Sequence, residues 1–233
     1  MKTYIKESSQ KTQKNAKEFM IHNKVYMFIK DSFIEKINLK KVINYIEQKI
    51  PSHMFDNVET VYIGDFEEFH ERNINALYKD GAIYVTNHQS DELDLIDDVV
   101  HELAHSIEEP FWNELYSDGM IEGEFLGKRK RLYSLLKTET YGIYLDDMLN
   151  IEYSEEFDEF LYKSIGYEKL ANISTGLFVS PYGITSLREY FANGFEEYFI
   201  RDPFYLKKIS PQIFNKIEQI ANYNKEDIGE YEI

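Results

Sequence analysis

At 233 residues, 43% hydrophobic and 29% charged, the chain has enough apolar material for a packed core and lacks the composition of a disordered segment. A net charge of −16 at pH 7 repels phosphate backbones, so nucleic acid is excluded as an expected partner. The absence of cysteine excludes disulfides, thiolate-bound metals and a cysteine nucleophile. No run approaches the roughly 18 apolar residues of a membrane span, so none is expected. The opening Met1-Lys2-Thr3-Tyr4-Ile5-Lys6 leads into no apolar h-region. The reading is therefore of a chain without a signal peptide, cytoplasmic or delivered by a non-classical route, secreted and virion-associated proteins included.

Residues 1–20 are polar and lysine-rich and read as an N-terminal arm. Residues 25–30, Val-Tyr-Met-Phe-Ile-Lys, have the aromatic and β-branched content of a strand. Asn38 is placed to cap a helix with apolar positions Val42, Ile43, Ile46 and Ile50, ended by Pro51. A second strand spans 58–63 and stops at Gly64-Asp65. Two short strands within 77–86 flank Asp80-Gly81, a hairpin-turn signal. The next helix takes Ser90 or Asp91 as its N-cap and repeats Leu93, Ile96, Val100, Leu103, Ala104 and Ile107 at helical spacing until Pro110 closes it.

Residues 111–180 read as a helical insertion, with helices over 122–137 and 154–164, the second stopped near Gly166. Two more helices follow over 186–200 and 211–222. The basic run Lys128-Arg129-Lys130-Arg131 reads as a solvated helix face, with a docking patch as the alternative. This order predicts an α+β fold in a single domain over 1–233: a small mixed sheet packed on a central helix, with a largely helical C-terminal part.

The central helix carries His101-Glu102-Leu103-Ala104-His105. Histidines four apart on a helix share one face, so both imidazoles reach one ion. Zinc accepts neutral imidazole nitrogen and, with three protein ligands, keeps a position for water. Glu102 stands beside the pair as the general base for a zinc-activated water. Asp94, Asp97, Asp98 and Glu108 are turn-mates, any of which can accept a second imidazole N–H and fix a tautomer. A third histidine six residues past the motif is absent, because position 111 is Phe. The third ligand is therefore expected to be a distant carboxylate, and spacing alone does not choose among the 42 acidic residues.

The segment Ser180-Pro181-Tyr182-Gly183-Ile184-Thr185-Ser186-Leu187-Arg188-Glu189-Tyr190-Phe191-Ala192 resembles the C-terminal motif of the anthrax lethal factor-like zinc peptidases, the group that includes the secreted Pro-Pro endopeptidases of clostridia. That family joins His-Glu-x-x-His to a Tyr-Gly and, seven residues after the Tyr, a Glu opening an aromatic helix segment. Tyr182 and Glu189 have this spacing. The resemblance covers about residues 58–109 and 180–200, and the insertion at 111–180 accounts for the long stretch between His105 and Glu189. Position 193, where relatives carry an acidic residue, is Asn.

The resemblance implies a zincin-like fold, one zinc ion held by His101, His105 and Glu189, and an oxyanion-stabilising hydroxyl on Tyr182. Ser186-Leu187-Arg188-Glu189 also matches a capping box, which would turn the Glu189 carboxylate back to its own helix terminus. The strand over 82–86, with Ile83, Tyr84 and Val85, reads as an edge strand: either an ordinary one or one that binds extended substrate by backbone pairing. The expected function is a zinc metalloendopeptidase acting on a protein or peptide substrate. A non-catalytic structural or interaction protein retaining the zincin scaffold is the alternative.

Overall fold

The computed structural model describes residues 19–137 and 141–223. The chain is α+β, with a five-stranded mixed sheet and a largely helical remainder. Contacts divide it between Pro110 and Phe111 into two compact units, where the sequence reads as one domain with an insertion. No helix among the described residues is long and apolar enough to cross a membrane. The arm expected over 1–20 lies, as far as residue 18, outside the described residues. Its last residue, Met20, belongs instead to β1 (Met20–Ile21), which pairs antiparallel with β2 (Val25–Ile29).

In the first unit, Asn38 caps α1 (Leu39–Lys49) by accepting from the Lys41 amide at 3.3 Å, and the helix gives way to Pro51 and a 3-10 turn at Ser52–Phe55. β3 (Thr60–Gly64) leads to α2 (Glu67–Arg72), a helix of 6 residues that is too short for apolar periodicity to reveal. β4 (Ala76–Lys79) and β5 (Ala82–Thr86) form the expected hairpin. Asp80 at φ 49 and Gly81 at φ 78 supply the two left-handed positions of the tight turn. The sheet order is β1-β2-β3-β5-β4, with β2, β3 and β5 parallel and an antiparallel strand at each margin.

Alternation along the strands separates two faces. Met27, Val61, Ile63, Ile83 and Val85 are buried on one of them. The other carries an aromatic row in which Phe28 stacks on Tyr62 at 5.7 Å and Tyr62 on Tyr84 at 5.2 Å.

The helix α3 (Glu92–Glu108) packs on β4, β5 and α1. Asp91 is its N-cap, accepting from the amides of Leu93 and Asp94. Leu93, expected in the core stripe, is 60% exposed; the buried side consists of Leu95, Ile96, Val99, Val100, Leu103, Ala104 and Ile107. A helix covered by a sheet and by a second helix buries a wider arc than a single stripe, and Leu93 in the first turn falls outside it. Burial is worth about 1.5–3 kcal/mol per large aliphatic side chain, so this helix is anchored along most of its length.

The second unit is helical: α4 (Trp112–Tyr116), α5 (Met120–Leu136), α6 (Leu145–Leu149), α7 (Glu155–Glu159) continuing as a π-helical turn at Phe160–Ile165, and α8 (Tyr167–Ile173). A 3-10 turn at Tyr182–Ile184 precedes α9 (Leu187–Ile200), which packs against α5, α10 (Pro203–Ile209) and α11 (Pro211–Ala221). The basic run corrects the reading as a solvated face: Lys130 and Arg131 are exposed, but Lys128 and Arg129 are buried. The physical reason is the stripe Phe125, Arg129, Leu132, Leu136, whose steps of four, three and four residues put Arg129 on the core side of α5.

Candidate metal centre

His101 and His105 lie one turn apart on α3, with ring centroids 5.0 Å apart and planes inclined at 77°. His105 Nδ1 is 2.9 Å from Glu108 Oε2, and the Glu108 side chain is only 3% exposed. A His105 tautomer with its proton on Nδ1 would donate to this buried carboxylate and leave Nε2 as the nitrogen able to ligate a metal. Of the four acidic turn-mates left open by the sequence, Glu108 is thus the partner of His105. Asp98 is half-buried on the same helix: desolvation, with smaller like-charge effects from Asp94 and Glu102, pushes its carboxyl up to about 6, against the Gln89 hydrogen bond and the neighbouring His101. Gln89 Nε2 donates to Asp98 Oδ2 at 2.8 Å and to the Thr86 carbonyl at 3.1 Å, tying the start of this site to the end of β5.

Glu102 is buried, and its Oε2 accepts the Tyr78 backbone amide at 2.6 Å. Register explains why that amide is available. Asn75 accepts from Thr86 N, so residues 75, 77 and 79 bond inward to β5 while Ala76 and Tyr78 point their backbone groups outward. The marginal strand next to the helix is therefore β4.

This corrects the expectation for Ile83, Tyr84 and Val85. β5 is paired with β3 on one side and β4 on the other, so its backbone is consumed by the sheet. Ile83 and Val85 are fully buried, and Tyr84 belongs to the aromatic row on the opposite face. The hairpin was legible, but which of its strands lies outermost depends on the crossover that makes β3 and β5 parallel neighbours, which is a non-local property.

In the second unit Tyr182 opens the 3-10 turn and Glu189 lies in the first turn of α9, both half-buried. Ser186 Oγ accepts the Glu189 amide at 3.1 Å, which is one half of the capping box. The Leu187 amide donates to the Ile151 carbonyl at 2.8 Å, occupying another amide of the helix start. Asn193 does not supply an acid here. Its Oδ1 accepts the Ser180 hydroxyl, and a Cβ on Gly183 would stand 3.1 Å from the same oxygen, so Gly183 lets the Tyr-Gly turn lie close against α9.

Among the His, Asp and Glu side chains of the described residues, His101, His105 and Glu189 form a group able to hold a metal ion, with one ligand atom from each within 4.8 Å of the others. Two imidazoles and a carboxylate are a suitable donor set for a borderline divalent ion. Two supporting residues, Tyr78 and Arg129, are not identified by the sequence reading, and a third, Asn193, is noted there only as a departure from the family pattern. Tyr78 acts through its backbone and leaves no side-chain signal. The contacts of Asn193 with Ser180 and Gly183 show only once α9 meets the turn at 182–184. Arg129 did leave a signal, its place in the α5 apolar stripe. No family model, curated protein or solved structure matches the chain.

Proposed function

We propose that the chain is a zinc-dependent endopeptidase of zincin-like design, with the site chemistry of the lethal factor-like peptidases. The observation that carries this reading is the His101, His105 and Glu189 group, together with a carboxylate, Glu102, on the same helix as both histidines. Zinc bound by these three residues would supply Lewis-acid polarisation of water and of the scissile carbonyl.

Glu102 takes a proton from the attacking water and delivers it to the leaving amine. The Tyr78 amide on Oε2 fixes the rotamer in which it does so. Tyr182 donates its hydroxyl to the substrate carbonyl oxygen as negative charge develops there. An extended substrate peptide pairs with the outward backbone groups of β4, at Ala76 and the Tyr78 carbonyl, in place of the 83–85 segment. The net charge of −16 favours basic or neutral peptides over acidic ones.

Equilibrium dialysis with zinc, followed by digestion of a peptide library, tests the reading. One zinc per chain and sequence-selective cleavage are expected. Glu102→Gln keeps the acceptor for Tyr78 N–H but cannot take a proton, so it should bind zinc normally and lose about 10²–10⁴ in kcat. Zinc uptake with no turnover on peptides or folded proteins would discard the peptidase and leave the non-catalytic scaffold. No zinc uptake would discard both.

A further inference from the structure

We propose that Arg129 is a positioning residue for the candidate site, holding the turn of Tyr182 and the first turn of α9 in place before any metal binds; the inference rests on the metal reading of Glu189. Arg129 is fully buried although it lies in a run of four basic residues. Taking a guanidinium out of water is costly unless its donors are satisfied, and among the described residues no carboxylate pairs with it. Instead its donors end on backbone carbonyls. Nε donates to the Ile184 carbonyl at 2.8 Å, and Nη2 to the Thr185 carbonyl at 2.8 Å and also to Ile184. Nη1 donates to the Asn150 carbonyl and, at 3.4 Å, to that of Asp147. The guanidinium is flanked by the rings of Phe125 and Phe157, with centroids at 4.5 and 4.8 Å.

The carbonyls it holds matter because of where they fall. Ile184 and Thr185 are buried and precede the N-cap Ser186, so their oxygens are not used by α9. Without Arg129 they would be buried acceptors lacking a donor. Tyr182 lies two residues before this clamp and Glu189 four residues after it. The same guanidinium ties the turn to the end of α6, from which Ile151 reaches the Leu187 amide. Arg129, Ser186 and Ile151 therefore fix the helix start from separate directions. A planar fork can bridge several carbonyls at once, and a lysine ammonium in the same place cannot.

The test compares the full-length wild type with Arg129→Lys and Leu136→Ala. The second variant removes a buried apolar side chain from the same helix without touching these carbonyls. Zinc affinity is measured by chelator competition, thermal midpoint on the metal-free chain, and amide exchange over residues 184–190. Arg129→Lys should bind zinc about tenfold more weakly, and its amides at 185, 187 and 190 should exchange faster than in the metal-free wild type. Leu136→Ala should keep its zinc affinity at an equal or lower midpoint. Unchanged affinity in Arg129→Lys, or an equal loss in Leu136→Ala, overturns the positioning role.

If Arg129→Lys does not fold, the metal-free wild type decides. Protection of amides 184–190 before zinc is added supports preorganisation, and protection that arises only with zinc overturns it. A wild type that takes up no zinc would refute the metal reading, while the exchange measurement would still judge the clamp.

Discussion

The two units of the chain hold their buried ionic side chains in different ways. In the first, the buried ionic residues are Glu102 and Glu108, both on α3, each separated from a proposed zinc ligand by no more than one turn. Their partners are close at hand: the amide of Tyr78 on the packed strand, and His105 three residues away. In the second unit the buried ionic residues described are Glu197 and two adjacent cations, Lys128 and Arg129, whose hydrogen bonds reach residues far along the chain: Ser210 for the lysine, the carbonyls at 184 and 185 for the arginine. In the proposed reading, the anions beside His101 and His105 act on a ligand or on the proton being moved, and Arg129 acts on the backbone that carries Glu189. The difference explains why the first half of the candidate site is written in five consecutive letters while the second depends on a residue sixty positions upstream.

Glu189 is where this contrast can be broken most forcefully, because it is the proposed ligand whose helix start the Arg129 carbonyl contacts precede. Glu189→Ala should reduce zinc affinity by at least about 100-fold, more than the 10–100-fold typical of outer-sphere partners, while leaving the thermal midpoint of the metal-free chain nearly unchanged. Zinc retained at wild-type affinity would return Glu189 to the role of a helix-start residue, capped by Ser186 and nothing more.

A smaller effect tests the first unit. Tyr78→Pro removes an amide that donates to Glu102, at an outward-facing position of a marginal strand where proline is tolerated. A hydrogen bond to a charged group is worth about 1.5–3 kcal/mol, so kcat should fall roughly tenfold or somewhat more with zinc affinity preserved. An unchanged kcat would mean that β4 does not hold the base.

Much of the first unit was legible because its signals are local. Asn38, Pro51, Asp80-Gly81 and Asp91 each mark a boundary through their own backbone chemistry, and the apolar spacing of α3 fixes which side His101 and His105 occupy. Strand order was not legible, since β3 and β5 become neighbours across an intervening helix and hairpin, and that exchange moved the outer margin from 83–85 to 76–79. In the second unit the helices over 122–137, 154–164, 186–200 and 211–222 were recognisable, yet the burial of Lys128 and Arg129 was not. Four consecutive charges mask the stripe Phe125, Leu132 and Leu136 around Arg129, and helical phase decides which side of α5 faces inward.

The adjacent cations offer the finest test, because they are buried together but hold different things. Lys128 Nζ donates to Ser210 Oγ at 2.6 Å and lies 4.8 Å from the centre of the Tyr190 ring, touching neither carbonyl before α9. Burial pushes its ammonium down to about 8, with Glu124 opposing the shift, whereas an unfolded lysine titrates near 10.4. Below about pH 8 both states are protonated and the fold bears the full cost of a buried ammonium. Between about pH 8 and 10.4 the folded lysine is neutral while the unfolded one still binds a proton, so stability must rise with pH across that window. Lys128→Met removes the titration. Relative to this variant, wild-type stability from denaturant melts should therefore increase by about 1–2 kcal/mol between about pH 7.5 and 9.5, while both proteins keep the same zinc affinity. A flat difference would show that Lys128 is not held as a buried ammonium. A loss of zinc affinity as large as that of Arg129→Lys would show that burial of either cation, and not the carbonyl clamp of Arg129, is what keeps Glu189 in place.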